Sequence, residues 1–575
     1  MSIVWHKKFF KYFIKDKKSL FKYFALSFIV GILELFGVAL TYPFINKLLS
    51  TEGMSKESIF LGLLIIAAFI AKNIFMIFYN FLQANFTKDC ELHINKIFVN
   101  YFINGNYTSI TRIPFEKKMH ITSFLIPNSI NNYMLRTFNL IVNIFVFALI
   151  ITFLFVKFFS ATVITLACSA ILLAGQSIFF KLKTKIVSEK YSKAGESATL
   201  AGNTPILNIK SVKIFNSGSF FFRNYTKTAE NLNRYAKQLL FYNSIPPFVT
   251  EPFIIILLLI LLSIISVQNI SNSTELVACY ALVISAIFRL APTISRIQVN
   301  LTGIQTAAPL VKELIGYYEE YNLENFVTVE TPTEEFNNSI ELKNITFAYE
   351  EKLTLNNVSL KINKGEFIGI AGPSGAGKTT LVDIIAGLLK IRTGELYLDG
   401  KFINDTQFPK LKIGYIPQDY SIIPATIREN VAFGAEEIDD DRVIDALKKA
   451  CLYDYINANY QEGIYTKDFG LSQGQKQRLA IARALYFDPD IIILDEATSS
   501  LDLKTEDEIC TILNNLKGEK TIIAIAHRLS TVKNANRIIF MTDTTINDIG
   551  SFEELFQRNP YFQELVQLNN ANLIH

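Results

Sequence analysis

Eight consecutive residues, Gly372-Pro373-Ser374-Gly375-Ala376-Gly377-Lys378-Thr379, fit the spacing GxxxxGK[ST]. Glycines at those positions let a loop curl until successive backbone N–H groups point at phosphate oxygens. The lysine then reaches the β- and γ-phosphates of a nucleotide, and the threonine offers its hydroxyl to Mg2+. Further along, Ile491-Ile492-Ile493-Leu494-Asp495-Glu496 is an apolar run that ends in two carboxylates. A buried strand ending in adjacent charges needs a cation or a catalytic task for them. Asp495 suits the shell of a magnesium ion, and Glu496 suits a general base that positions an attacking water. The plain alternatives are a chance glycine turn for the first group and a helix N-cap for the second. The chemistry on offer is hydrolysis of a nucleoside triphosphate.

These residues need a particular frame. Residues 366–370 read as a buried strand feeding the loop, and the apolar stretch Leu381 to Leu389 reads as the helix that leaves it. Between the two constellations lies Leu471-Ser472-Gln473-Gly474-Gln475-Lys476-Gln477-Arg478, which resembles the signature motif of ATP-binding cassette proteins. The resemblance extends to Tyr349 (adenine-stacking loop), Gln418 in Ile416-Pro417-Gln418, Ser499-Ser500-Leu501-Asp502 and His527 in Ala526-His527-Arg528. It implies ATP and Mg2+ as cofactors. Catalysis would fall to Glu496, His527 and Gln418, and the metal to Thr379, Gln418 and Asp495. Nucleotide contacts would come from Tyr349, Gly372, Ser374, Gly375, Gly377, Lys378, Thr379 and Thr380, and from Ser472, Gly474, Gln475 and Asp502. In such cassettes Gly377, Lys378 and Thr379 of one domain face Ser472 and Gly474 of another, so a chain with one cassette pairs with a second copy, most simply as a homodimer. Two departures stand out: Gln473 replaces the usual signature glycine, and Lys467-Asp468-Phe469-Gly470 is shorter than the family's segment at that place. Slowed or differently coupled ATP turnover is the expectation.

The chain has 575 residues, of which 50% are hydrophobic and only 19% charged, below the quarter charged that is usual for soluble proteins. A membrane protein follows. The net charge of +4 leaves no footprint for nucleic acid. The cysteines (Cys90, Cys168, Cys279, Cys451 and Cys510) are too scattered for a disulfide framework or zinc site. Apolar stretches fit to cross a membrane fall at 21–47, 58–83, 134–156, 161–182, 246–267 and 274–297, all before residue 300. Segments 84–133 and 183–245 are rich in Lys and Arg, whereas 48–57, 157–160 and 268–273 hold only Lys56 and Lys157. By the positive-inside rule the long basic segments are cytoplasmic. Folded as antiparallel helices, 50 residues make arms about 37 Å long, with candidate coupling turns at 111–115 and 204–210. The N-terminus, rich in lysine with Phe9, Phe10, Tyr12 and Phe13 among them, reads as a retained interfacial helix.

The fold expected is an α-helical transmembrane domain over residues 1–328, with six spans and long cytoplasmic extensions. It is fused to an α/β P-loop ATP-binding cassette domain over 339–575, the whole resembling a half-size exporter in a bacterial inner membrane with the cassette in the cytosol. Charges within spans are suspects for substrate contact because each is costly there. Lys72, Arg289 and Arg296 are the candidates; snorkelling, or pairing with Glu34 or Glu251, is their alternative. Fixed positive charge among aromatic residues suits an anionic amphiphile. The stretches around Leu33 to Ile45 and Phe288 to Ile297 look similar to bacterial lipid-linked oligosaccharide flippases, which implies a polyprenyl-pyrophosphate glycan as cargo and membrane lipids as surroundings. Peptide or multidrug export is the alternative cargo class, and a nucleotide-gated channel or regulator the alternative function class.

Overall fold

The computed structural model describes residues 3–14, 17–50, 56–157, 159–267, 273–328, 333–404, 406–418, 420–467, 470–495, 503–526 and 528–571. The chain divides into two compact units, Met1–Thr328 and Val329–His575.

The first unit is helical. In chain order it holds α1 (Ile3–Phe13), α2 (Lys17–Ala39), α3 (Thr41–Ser50), α4 (Lys56–Asn104), α5 (Tyr107–Thr111), α6 (Phe115–Met119), α7 (Ile126–Ser129), α8 (Leu135–Lys157), α9 (Phe159–Leu207), α10 (Ile209–Ile214), α11 (Gly218–Val267) and α12 (Ser273–Glu320). The π-helical turns His120–Leu125 and Ile130–Met134 flank α7, so the run from α6 to α8 is continuous. Four helices, α4, α9, α11 and α12, have 48 to 50 residues. At 1.5 Å per residue each is about 70 Å long, more than twice the ~30 Å hydrocarbon core of a bilayer. Ile94, Phe98 and Tyr101, at helical spacing, belong to the buried face of α4. At the tips, Asn106 caps α5 by accepting the Thr108 N–H at 3.0 Å, and α9 gives way at Asn208 to the short α10.

The six expected spans are not found among the described residues. Among the described residues three helices are long and apolar enough to cross a membrane, Lys56–Asn104, Phe115–Val156 and Leu166–Leu207. Segment 21–47 is not one helix, because α2 ends at Ala39 and α3 restarts at Thr41, with Pro43 in its first turn. Segments 246–267 and 274–297 lie in α11 and α12, which carry Pro246, Pro247 and Pro252, and Pro292 and Pro309. These three segments also include side chains outside the described residues, Glu34 among them. At 21–47 the helix is interrupted, which a hydropathy count along the sequence does not test, whereas α11 and α12 run unbroken through their prolines.

Two aromatic residues of α1 are covered by protein: Phe9 and Phe13 are fully buried. The Phe9 ring meets Tyr133 edge-on at 4.7 Å, and Tyr12 stacks on Tyr318 at 4.6 Å. Lys8 and Lys11 pair with Glu319 and Glu324, each at 2.5 Å, so α1 is clasped to the end of α12 and the turn after it.

The second unit opens with a strap. The carboxylate of Asp399 accepts backbone N–H groups of Asn337, Asn338 and Ser339 at 2.9, 2.6 and 3.0 Å. Then follow β1 (Ser339–Tyr349), β2 (Lys352–Asn363), β3 (Phe367–Ala371), α13 (Lys378–Ile385), β4 (Thr393–Leu398), β5 (Lys401–Phe402), β6 (Ile413–Ile416), α14 (Ile427–Val431), α15 (Asp440–Lys449), α16 (Tyr453–Asn459), α17 (Gln473–Tyr486), β7 (Ile491–Asp495), α18 (Leu503–Leu516), β8 (Thr521–Ile525), β9 (Arg537–Thr542), β10 (Thr545–Gly550), α19 (Phe552–Arg558) and α20 (Pro560–Ala571). An antiparallel sheet runs β2-β1-β4-β5, and a second sheet runs β10-β9-β3-β8-β7-β6. In the second sheet β9, β3, β8, β7 and β6 are parallel neighbours. Strands β3 and β8 are buried along their whole length, which is why they read as unbroken apolar runs rather than alternating ones.

Candidate functional site

The strand order puts the motif residues side by side. β3 leads into the glycine loop, β8 into Ala526, β7 ends at Asp495, and β6 ends two residues before Gln418. These are the carboxyl ends of four adjacent parallel strands, where open α/β sheets bind ligands. The glycines are fixed by their surroundings. Gly372 has φ of +148°, and a Cβ there would stand 2.1 Å from the carbonyl oxygen of Met541; at Gly377 (φ +95°) it would stand 2.6 Å from that of Thr354. No side chain fits either place without moving backbone.

Gly377 caps α13, whose first residue is Lys378. The Lys378 ammonium is buried and donates to the carbonyls of Gly372 and Pro373 at 2.9 and 3.0 Å, so the loop is wound around its own lysine. Thr379 is exposed, Thr380 is buried, and Tyr349 hydrogen-bonds Thr380 beside the loop. Tyr349 remains 39% exposed, leaving ring surface for an aromatic base to stack on.

Whether Mg2+ fits can be read from the acidic groups. Asp495 accepts the Tyr415 hydroxyl at 3.0 Å. Burial, with the nearby negative Asp495 adding to it, pushes the Asp383 carboxyl up to about 6. Two carboxylates that repel one another near an exposed threonine hydroxyl suit a divalent cation. Among the described residues no three His, Cys, Asp or Glu side chains cluster as a metal cage, and Mg2+ is usually held by one or two carboxylates together with substrate phosphates. The residues present fit the ion.

The signature residues sit elsewhere in the cassette. Ser472 caps α17, its hydroxyl accepting from Gln475 N–H while the Gln475 side chain accepts from Ser472 N–H. α17 packs on α14, α15 and β6, whereas α13 packs on β2 and β8. Within one chain, Ser472, Gly474 and Gln475 are therefore not part of the group around Lys378. Glu496, Asp502 and His527 lie outside the described residues. Asp383 and Tyr415 were missed by sequence reasoning, since neither belongs to a motif.

A second site lies in the helical unit, a cavity of about 370 Å³. α4 lends it Asn80, α8 lends Arg136, Asn139 and Asn143, and α12 lends Arg296 and Asn300. Gln83 donates to the Asn139 side chain at 3.0 Å, and Asn143 donates to the Asn139 backbone carbonyl at 2.6 Å, which fixes both asparagines in place. An apolar cavity of about 460 Å³ adjoins it, sharing Pro247 and Ser295 and lined by Ile255, Ile287, Phe288 and Pro292, with Glu251 at its wall. Of the three cations singled out by sequence, only Arg296 lines the polar cavity. The Arg289 guanidinium lies 4.4 Å from the Phe69 ring centroid, a cation–π contact. Lys72 lines neither cavity. Arg136 was missed because a charge in the first turns of a span reads as an interfacial residue. The amides at Asn139 and Asn143, four apart in an apolar stretch, were a legible signal of a polar face.

Residues 355–499 match the ABC transporter family. The chain is 30% identical over 442 residues to an ATP-dependent lipid A-core flippase of Cupriavidus metallidurans, covering 74% of this chain and 73% of that one. The chain belongs to the ABC transporter family, with the half-transporter architecture of one helical unit and one cassette. It is also 37% identical over 240 residues to the multidrug export ATP-binding/permease protein YgaD of Bacillus subtilis, a match spanning 40% of this chain and 41% of that protein's length. Its fold is similar to that of a bacterial Atm1-family ABC exporter with ATP bound (TM-score 0.80, 21% identity, 96% of this chain and 98% of that one).

Proposed function

We propose that two copies of this chain form an ATP-driven lipid exporter of a bacterial inner membrane, with the cassettes in the cytosol. The observation that carries the cargo class is the pairing of the cavity holding Arg136, Arg296 and four asparagines with an apolar cavity beside it. Guanidinium groups bind phosphate in a bidentate way, and amides bind sugar hydroxyls. The apolar neighbour accepts a chain. An anionic glycolipid meets all three demands, and among these a polyprenyl-pyrophosphate oligosaccharide is our reading. Multidrug or peptide export is the second reading, favoured only by the likeness to YgaD.

In the cassette, Tyr349 stacks on the adenine while the loop from Gly372 to Gly377 turns backbone N–H groups to the phosphates. Lys378 leaves its two carbonyls for the β- and γ-phosphates. Thr379, Gln418 and Asp495 would hold Mg2+, which when bound would supply positive charge to the phosphate oxygens. Glu496 positions the attacking water, and His527 and Gln418 read the γ-phosphate. Ser472, Gly474, Gln475 and Asp502 complete the nucleotide site of the partner copy. The turns at 111–115 and 204–210 are the coupling candidates.

The test uses proteoliposomes holding a labelled polyprenyl-pyrophosphate oligosaccharide, with Glu496→Gln as control. ATP-dependent movement of label across the bilayer in wild type alone supports the reading. ATP hydrolysis without movement discards the glycolipid and brings the second reading forward.

A further inference from the structure

We propose that Glu506 is the positioning residue of the switch segment, acting on His527 through Arg528 and Ser530. The inference rests on the reading of His527 as a catalytic group. Glu506 lies in the first turn of α18 and is only 3% exposed. A carboxylate so buried requires matched partners. It has two, one on each oxygen: Arg528 Nη1 donates to Oε2 at 2.5 Å, and the Ser530 hydroxyl donates to Oε1. Both partners lie just after His527 in the chain. Just before it, the Ala526 N–H donates to the Ile370 carbonyl of β3 at 3.0 Å, the strand that feeds the phosphate loop. One residue separates the two anchors, and consecutive Cα atoms are 3.8 Å apart. The residues on either side of His527 are thus tied, Ala526 to the loop's own strand and Arg528 and Ser530 to Glu506.

The same helix grips the signature element. Arg478, the last residue of the signature motif, pairs with Glu508. Residues two apart on a helix are about 200° apart around its axis, so Glu506 and Glu508 leave α18 on opposite flanks. A residue that served only to fill the core would need neither the charge nor two partners flanking Leu529.

The test measures ATP hydrolysis and ATP affinity of the full-length protein in lipid nanodiscs, per folded molecule. Glu506→Gln, close in shape but neutral, is expected to lower kcat about tenfold or more while KM for ATP stays within about twofold. Ser530→Ala is expected to give a smaller fall of the same kind, and it carries the test if Glu506→Gln does not fold. Glu506→Asp should recover part of the loss. A kcat per folded molecule within about twofold of wild type in these variants, while His527→Ala abolishes hydrolysis, overturns the inference and leaves the proposed function standing. Undiminished hydrolysis in His527→Ala overturns the reading of His527 and this inference with it.

Discussion

Replacing Arg136 with Gln isolates the charge in the polar cavity from its shape. The aliphatic part of Arg136 is packed: a Cβ placed on Gly303 would stand 3.0 Å from its Cγ, Cδ and Nε. Glutamine keeps Cγ and Cδ and loses the guanidinium, so the helix contact is retained. A hydrogen bond to a charged group contributes about 1.5–3 kcal/mol, more than a neutral one. Loss of about 2 kcal/mol raises the concentration of anionic lipid needed for half-maximal stimulation of ATP hydrolysis about 30-fold. The assay titrates lipid against ATP hydrolysis in nanodiscs, comparing a pyrophosphate-bearing lipid with a neutral glycolipid of the same chain length. The neutral lipid should respond little. Gly303→Ala is the companion, because the arginine stem can yield by a few tenths of an ångström; its effect should be well below that of Arg136→Gln. An equal shift for both lipids, or none for the anionic one with unfolding temperature unchanged, refutes the head-group assignment.

Three further outcomes are expected. Gly377→Ala forces a left-handed residue, which costs about 1–2 kcal/mol in an L-amino acid, and drives its Cβ at the Thr354 carbonyl; binding of a fluorescent ATP analogue should weaken at least about tenfold, and unchanged binding refutes the cradle. Phe9→Ala removes a fully buried ring packed on Tyr133, at a cost of about 3–5 kcal/mol; limited proteolysis should then release α1 first, and an unchanged digestion pattern counts against the clasp. The folded Asp383 carboxyl titrates at about 6 against an ordinary 3.8, so the folded state holds this proton more tightly. Its contribution is therefore full below about pH 4 and is lost as pH rises through about 6. Without Mg2+, Asp383→Asn should unfold at a higher temperature than wild type at pH 7.5, and parallel pH curves for the two proteins refute the burial argument.

The cassette was the legible part because its site is dictated locally. Gly372 and Gly377 have no substitute when a Cβ would meet carbonyl oxygens at 2.1 and 2.6 Å, so the motif records the backbone itself. β3 and β8 likewise announce burial on both faces. The helical unit was legible in its apolar stretches, but hydropathy over 21–47 did not show that α2 stops at Ala39 and α3 restarts. The polar cavity was not readable in the same way, since Asn80, Arg136, Arg296 and Asn300 are brought together by the packing of three helices distant in the chain. Glu506 and its partners Arg528 and Ser530 were hidden for the same reason: a buried ion pair joins elements through space.

Gln473 shows how far a departure from a motif can be judged by local physics. It is the first residue of α17, after the Ser472 cap. At that position a helix needs neither a particular side chain nor positive φ, and the cap is closed by Ser472 and Gln475 alone. Glycine is therefore not required there by the backbone, in contrast to Gly372 and Gly377. The Gln473 side chain is exposed at the start of the helix, the end that carries partial positive charge and unpaired N–H groups. The start of α17 thus keeps its N–H donors, and any change in turnover that Gln473 causes has to come from its side-chain amide. In the proposed pair of copies, such an effect would act on the nucleotide held by the partner copy.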